Sequence, residues 1–293
     1  MYVRAFSALL TALAATPALA APSGLDLGDY SLTATHALPA VAASEASAVT
    51  WNWDSNTLFV LGDEGDALVE VDLLGNQLSV MTLTGFDDTE GVAYVGNGQF
   101  VITEERLQDA YLLDYSAAGS AARSSLASSS LGPTVGNIGI EGIAYDPLTG
   151  GFVAVKEKSP QAVYAVTLNY GGDAAVTSLF SPDLGVLDLS DVQVLSGVLA
   201  GTADQDNLLV FSQESAMLLE ISRTGQILSS LSLAGVADNI EGVTMDSLGN
   251  IYLVGENPSL YVLSAPVPEP ETYALMLAGL GLVGFMARRR RSA

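Results

Sequence analysis

Apolar residues in this chain come in short runs of alternating or continuous character, broken by clusters of Gly, Asn, Asp and Pro. Turn signals arrive every 8–12 residues or so, and no sustained helical period appears between the two ends, which predicts many short strands. One five-residue phrase recurs. It reads Glu-Gly-Val-Ala-Tyr at 90–94, Glu-Gly-Ile-Ala-Tyr at 141–145 and Glu-Gly-Val-Thr-Met at 241–245, with weaker copies Ser-Ala-Val-Thr-Trp at 47–51 and Ser-Gly-Val-Leu-Ala at 196–200.

Each copy continues in the same order. A turn follows (54–56, 96–98, 146–150, 204–207, 246–250), then an apolar strand (58–61, 100–102, 152–155, 208–211, 251–254) that ends near an acid: Glu64, Glu105, Glu157, Glu214 or Glu256. A third strand comes next (68–72, 111–114, 163–166, 218–221, 260–263), and copies one and four show a fourth at 78–83 and 227–233. Four strands per unit of roughly 40–50 residues is the pattern of a β-propeller blade.

The fifth copy stops after its third strand, at Leu263, while Tyr30 to Thr35 precede the first copy as an orphan strand. The expectation is therefore an all-β, five-bladed propeller closed by its N-terminal strand, which hides two sheet edges. A sixth blade within 115–138 or 167–190 is the alternative, because structureless loops above about 15 residues are uncommon. Ser124 to Ser130 reads as a surface loop.

The ends differ from this middle. Arg4 precedes an apolar stretch from Ala5 to Ala15, followed by Ala18-Leu19-Ala20. A positive start, a short apolar core and a small-x-small site predict a signal peptide over 1–20, removed by signal peptidase after Ala20. At the other end Val267, Pro268, Glu269 and Pro270 precede an uncharged apolar run from Tyr273 to Ala287, then Arg288, Arg289, Arg290 and Arg291. Fifteen helical residues span about 22 Å, short of a hydrocarbon core of about 30 Å. A plain tail anchor is one reading, with the arginines cytoplasmic.

The order of parts over 267–293 resembles the PEP-CTERM sorting signal of Gram-negative bacteria, which implies recognition and removal by an exosortase. That resemblance places the chain in the inner membrane before processing, then at the cell surface or in the extracellular matrix, with an exopolysaccharide or surface protein as partner. The middle, 21–266, resembles the SdiA-regulated family. The resemblance rests on Gly62-Asp63-Glu64-Gly65, Gly85 to Tyr94, Thr103-Glu104-Glu105-Arg106, Glu141 to Pro147 with Lys156-Glu157-Lys158, and Glu241-Gly242-Val243. It implies a propeller and no established activity. Gln213-Glu214-Ser215 departs from it, standing where an Asp-Glu pair is favoured.

Composition then narrows the chemistry. The 293 residues hold 33 acids against 10 bases, no Cys and one His, for a formal net charge of −23. Five of the bases lie in the end segments, so the middle is more acidic still. Such a chain repels nucleic-acid phosphates. It has neither thiol chemistry nor a Cys-based zinc site, and His36 alone leaves few ways to build a Ser-His-Asp triad.

Carboxylates remain. In a propeller the start of a first strand and the end of its antiparallel neighbour share one face. Glu90, Glu141 and Glu241 should meet Glu64, Glu105, Glu157, Glu214 and Glu256 at one mouth of the channel, with Ser47 and Ser196 replacing the first Glu in two blades. Clustered like charges need a counter-cation or raised pKa values, so these eight glutamates form a candidate site for Ca²⁺ or a similar hard cation. Alternatively each Glu of the Glu-Gly pairs caps backbone N–H groups between blades. Two functional classes follow: a non-enzymatic surface module, and a metal-assisted hydrolase of the phytase-like or lactonase-like propeller type whose only bases would be carboxylates. Trp51 and Trp53 alternate along the first strand, so one should face the core and the other solvent.

Overall fold

The computed structural model describes residues 25–134, 136–236, 239–266 and 276–280. The leader reading of 1–20, with Ala18 and Ala20, and the residues 267–270 and 288–291 lie outside them. Among the described residues no helix is long and apolar enough to cross a membrane.

A 3₁₀ turn at Leu27–Asp29 leads into β1 (Ser31–Ala37). Blade one is built from β2 (Ala46–Asn52), β3 (Thr57–Gly62), β4 (Ala67–Val71) and β5 (Gln77–Thr84). Blade two uses β6 (Thr89–Gly96), β7 (Gln99–Glu104) and β8 (Asp109–Asp114), then β9 (Ser120–Ala122), which crosses to pair with β5, and β10 (Ala127–Ser130), which completes the blade. Blade three has β11 (Ile140–Asp146), β12 (Gly151–Lys156) and β13 (Ala162–Thr167); β14 (Gly172–Asp173) pairs back onto β10, and β15 (Ala175–Phe180) is the fourth strand. Blade four comprises β16 (Asp191–Val194), β17 (Leu208–Ser212), β18 (Met217–Ile221) and β19 (Ile227–Ser232). Blade five is β20 (Ile240–Met245), β21 (Ile251–Gly255) and β22 (Ser259–Ser264), and its outer strand is β1.

The ring is thus five-bladed and closed by the N-terminal strand, with Leu32 paired to Leu263 and Ala37 to Ser259. The long stretches 115–138 and 167–190 hold the outer strands of blades two and three rather than a sixth blade. Ser124 to Ser130 is accordingly not a loop: β10 occupies its second half. Outer strands face solvent on one side, so small polar residues suffice there and the apolar signal fades. His36, which follows the strand expected over Tyr30 to Thr35, falls inside β1 and is half-buried.

Blade four departs from the repeat. The phrase at 196–200 is not its first strand. Asp191–Val194 pairs with Leu208–Phe211, and Leu195–Gly197 forms a 3₁₀ turn. Ser196 therefore sits at the end opposite the acid mouth, donating to Asp146 Oδ1 at 2.9 Å. Strand pairing, not composition, decides which Ser is equivalent to the glutamates, and it selects Ser190.

The cores lie between blades. One cluster joins blades four and five with Leu27, Leu209, Phe211, Leu253 and Leu263; another joins blades one and two with Phe59, Leu61, Tyr94, Phe100 and Ile102. The glycine of each Glu-Gly pair is set by this packing. A Cβ on Gly91 would lie 3.0 Å from Ile143 Cγ2, and one on Gly242 would lie 2.9 Å from Val49 N. The inner strands of neighbouring blades approach too closely for a side chain there.

Candidate functional site

The first strands carry a shared irregularity. Pairing skips one residue between Thr89 and Gly91, Ile140 and Gly142, Ile240 and Gly242, and Ala46 and Ala48. The extra residues are Glu90, Glu141, Glu241 and Ser47. A bulge leaves its extra residue unpaired and re-aims the side chain, and here it sends the glutamates toward the channel mouth.

A cavity of about 310 Å³ opens at that mouth, lined by Glu45, Ser47, Asp63, Asp88, Glu90, Glu105, Arg106, Asn137, Glu141, Glu157, Gln213, Glu241 and Glu256. Nine carboxylates face it against one cation. Six of the eight expected glutamates line it: Glu90, Glu105, Glu141, Glu157, Glu241 and Glu256. Glu64 and Glu214 do not; they stand at its rim, in groups with Glu45 and Asp63, and with Glu157 and Asp188.

The register explains the shift. Thr103, Val155, Val254 and Leu61 are paired with Gly91, Gly142, Gly242 and Ala48, so two residues further on Glu105, Glu157, Glu256 and Asp63 are equivalent. In blade four the same count reaches Gln213. Along a strand the side chains alternate, which turns Glu64 and Glu214 away from the lining. Asp63 and Gln213 were legible by this count; Glu45, Asp88 and Asn137 come from connections between blades and carry no periodic signal.

The bases take up little of this charge. Arg106 pairs with Asp88 at 2.9 Å and Asp87 at 3.2 Å. Lys158 contacts Glu157 and reaches Glu214 at 3.0 Å, while Lys156 donates to the carbonyls of Lys158 and Pro160. Among the described residues, Glu90, Glu105, Glu141, Glu241 and Glu256 form no ion pair. Nor does a described backbone N–H donate to Glu90, Glu141 or Glu241. The inter-blade cap is made instead by Glu105, whose Oε1 accepts from Gly139 N at 2.6 Å. Glu241 accepts from Gln213 Nε2 at 2.7 Å.

Burial and mutual repulsion act on the cluster together. Burial, then the charges of Glu241, Asp88, Glu105 and Asp63, push Glu90 well above the usual carboxylate range. Burial with Glu90 and Glu105 beside it does the same to Glu141. Glu241 is pushed up to about 7, again chiefly by burial. Asp88, 8% exposed, is pushed to about 6 by burial and Glu105 despite Arg106.

Three buried carboxylate oxygens here lack any hydrogen-bond partner: Asp63 Oδ1, Asp88 Oδ2 and Glu157 Oε2. Glu105, Glu141 and Glu157 also present oxygens that all lie within 4.8 Å of one another. Two oxygens on one Ca²⁺ at about 2.4 Å each can be no further apart than this, so the donor set fits a hard cation.

The same strands end differently at the other mouth. There Trp51 is 7% exposed and Trp53 40%; alternation would put residues two apart on one face, and they differ because Trp53 lies past the end of β2 at Asn52. Trp53 meets Tyr94 edge-on at 4.4 Å and lies nearly parallel to Tyr145 at 6.4 Å. The cavity left among them, Pro147 and Val198 is about 30 Å³, room for roughly one water. Between the mouths Asp191, 3% exposed, accepts from Val192 N and Val243 N at 2.7 Å each. Thr244 and Thr50 likewise accept from Trp51 N and Tyr94 N, stitching inner strands of successive blades.

Known proteins agree with this architecture. The chain belongs to the SdiA-regulated family, whose model matches residues 24–264. Residues 266–291 match the PEP-CTERM protein-sorting motif. The fold is similar to that of glutaminyl cyclase from Myxococcus xanthus, at 11% identity and a TM-score of 0.54, covering 82% of this chain and 97% of that one. Virginiamycin B lyase from Staphylococcus aureus aligns at 10% identity and a TM-score of 0.44, over 76% of this chain and 67% of that one. At such identity the likeness to the cyclase concerns fold alone.

Proposed function

We propose that this protein is an exported, non-enzymatic propeller that holds a hard divalent cation, Ca²⁺ by its donor set, in the acidic mouth of its channel. The observation that carries this reading is the set of buried, unpartnered oxygens of Asp63, Asp88 and Glu157 around a cavity with nine carboxylates. A buried carboxylate oxygen without a partner is costly, even where the other oxygen of the group is paired as in Asp88 and Glu157, and a coordinated cation removes that cost. Carboxylate and amide oxygens suit Ca²⁺, which takes six to eight such ligands. The leader pattern over 1–20 and the sorting motif support this address: in this reading signal peptidase and an exosortase act in turn, and the propeller ends at the cell surface or in the extracellular matrix. A partner there is an exopolysaccharide or a surface protein.

One observation favours a second reading, metal-assisted hydrolysis. Glu241 is poised near 7, where a general base works best at neutral pH. It would take a proton from a water attacking a phosphoryl or lactone carbonyl group whose oxygen the cation polarises.

Titration calorimetry with CaCl₂ on the chelator-treated protein, paired with thermal melts, tests the first reading. We expect saturable binding and a melting temperature that climbs with free Ca²⁺. Saturation at about 100 times Kd adds about 2.7 kcal/mol. Absence of binding for Ca²⁺, Mg²⁺ and Mn²⁺ alike sinks the cation site. Turnover of a phosphate ester or lactone that is lost in Glu241→Gln, with Ca²⁺ binding retained, would favour the second.

A further inference from the structure

We infer that the aromatic mouth of the propeller is a membrane-docking face, resting on the zwitterionic surface of the bilayer that carries the chain's own C-terminal apolar run. The inference concerns the face opposite the acid mouth and rests on the sorting segment, not on cation binding.

The first observation is where the chain leaves. β22 ends at Ser264, whose Oγ donates to Asn250 Oδ1 at 2.8 Å in the turn between β20 and β21. That turn belongs to the aromatic end. From Pro266 only six residues precede the apolar run that begins at Tyr273. Six extended residues reach roughly 20 Å. With the run in a bilayer, this face cannot stand further off than that.

The second observation is what the face presents. Its inner turns carry Leu148 and Leu248, 57% and 64% exposed, and beside them the half-exposed Trp53. The acids of the two leucine turns point inward, Asp146 and Asp246 each 1% exposed, whereas Asp54 beside Trp53 and Asp206 in the blade-four turn are exposed. Asp246 accepts from Leu248 N, Asn250 N and Tyr252 OH, and Asp146 is held by Arg223 at 2.7 Å and by Leu148 N. Acid inside and leucine outside reverses the ordinary polarity of an Asp-rich turn. The Asx hydrogen bonds fix each leucine at the tip, and Trp is at home at the headgroup boundary. The opposite face opens on the cavity with nine carboxylates, whose transfer toward lipid is expensive.

A second copy of the chain is the competing occupant, and the chain's own tryptophans separate the cases. The full-length protein is reconstituted into phosphatidylcholine nanodiscs with and without brominated acyl chains, and Trp emission is compared. Trp51 is buried and serves as the internal baseline through Trp53→Phe. We expect brominated lipid to quench the Trp53 component, because a docked Trp53 sits at the headgroup boundary. In Trp53→Phe/Val41→Trp, whose reporter sits on the acid side, no quenching beyond the baseline is expected. Leu148→Ser/Leu248→Ser should reduce Trp53 quenching while the protein stays on the disc. The docking face is overturned if Trp53 is not quenched in disc-bound protein, if Val41→Trp is quenched as strongly, or if the chain fails to co-fractionate with the discs. A concentration-dependent blue shift of Trp53 without quenching would assign the face to a second copy instead.

Discussion

At one end of the channel Glu90, Glu141 and Glu241 open inner strands and face a cavity of about 310 Å³; at the other, the same strands run out into Tyr94, Tyr145 and Met245 around a space of about 30 Å³. The distance between the two chemistries is four residues of strand. A bulge at the first end re-aims an acid that regular pairing would have placed against a neighbouring blade. At the second end the pairing is irregular in blade two, between Tyr94 and Gly96, and aromatic rings pack against one another until no ligand-sized room remains. An acid mouth kept open by repulsion and an aromatic mouth closed by packing should therefore respond to different perturbations.

The severest way to break this contrast is to cut what holds both ends in register. Asp191, one residue in from the acid mouth, accepts one N–H from its own blade and one from the next. Asp191→Ala leaves both donors buried, at about 1–3 kcal/mol apiece. At roughly 2–4 °C per kcal/mol for a domain of this size, the melting temperature should drop by about 4–24 °C. A melt within a degree of wild type would mean that the two mouths are held independently.

pH separates the mouths next. Carboxyls raised in the folded protein bind protons more tightly than in the unfolded chain, so stability falls as pH rises. The fall starts near the unfolded carboxylate value of about 4.3 and runs through the values reached by Asp88, about 6, and Glu241, about 7. In chelator, melting temperatures between pH 5 and 8 should decline steadily; with saturating Ca²⁺ the decline should flatten. A cation-free melting temperature that rises over that interval would contradict the repulsion assigned to the acid mouth.

The smallest effect belongs to the aromatic end. Trp53→Ala removes an edge contact worth about 0.5–1.5 kcal/mol. The loss should be the same at pH 5 and pH 8 and with or without Ca²⁺, as urea titrations would reveal. A loss that varies with either would show the ends to be coupled.

Much of this architecture was legible before any coordinates. The Glu-Gly phrase gave the blades because both of its residues are constrained, the glycine by the neighbouring inner strand and the glutamate by the mouth. The orphan strand before copy one gave the closure. What escaped was set by pairing. Ser196 has the right neighbours in sequence, yet β16 ends before it. Glu64 and Glu214 follow the strand as acids should, but one residue past the position that register sends into the cavity. Glu45 and Asp88 belong to connections between blades, and Asp88 adopts a φ of 62° that no hydrophobic pattern foretells. The outer strands of blades two and three escaped because half of their surface is in water.

The pairing of β1 with β22 also sets a timetable. The first strand to be synthesised has no partner until Ser259–Ser264 have followed, more than 220 residues later. Four blades can assemble as the chain lengthens, with only β9 and β14 reaching back one blade, whereas the ring locks only after nearly everything before the sorting segment has been made. Closing so long a loop raises the entropic cost only logarithmically, but it makes completion the last event. The tail is therefore the first part of the chain to emerge after the propeller can become whole, and an interrupted chain is left with an unlocked ring and no tail.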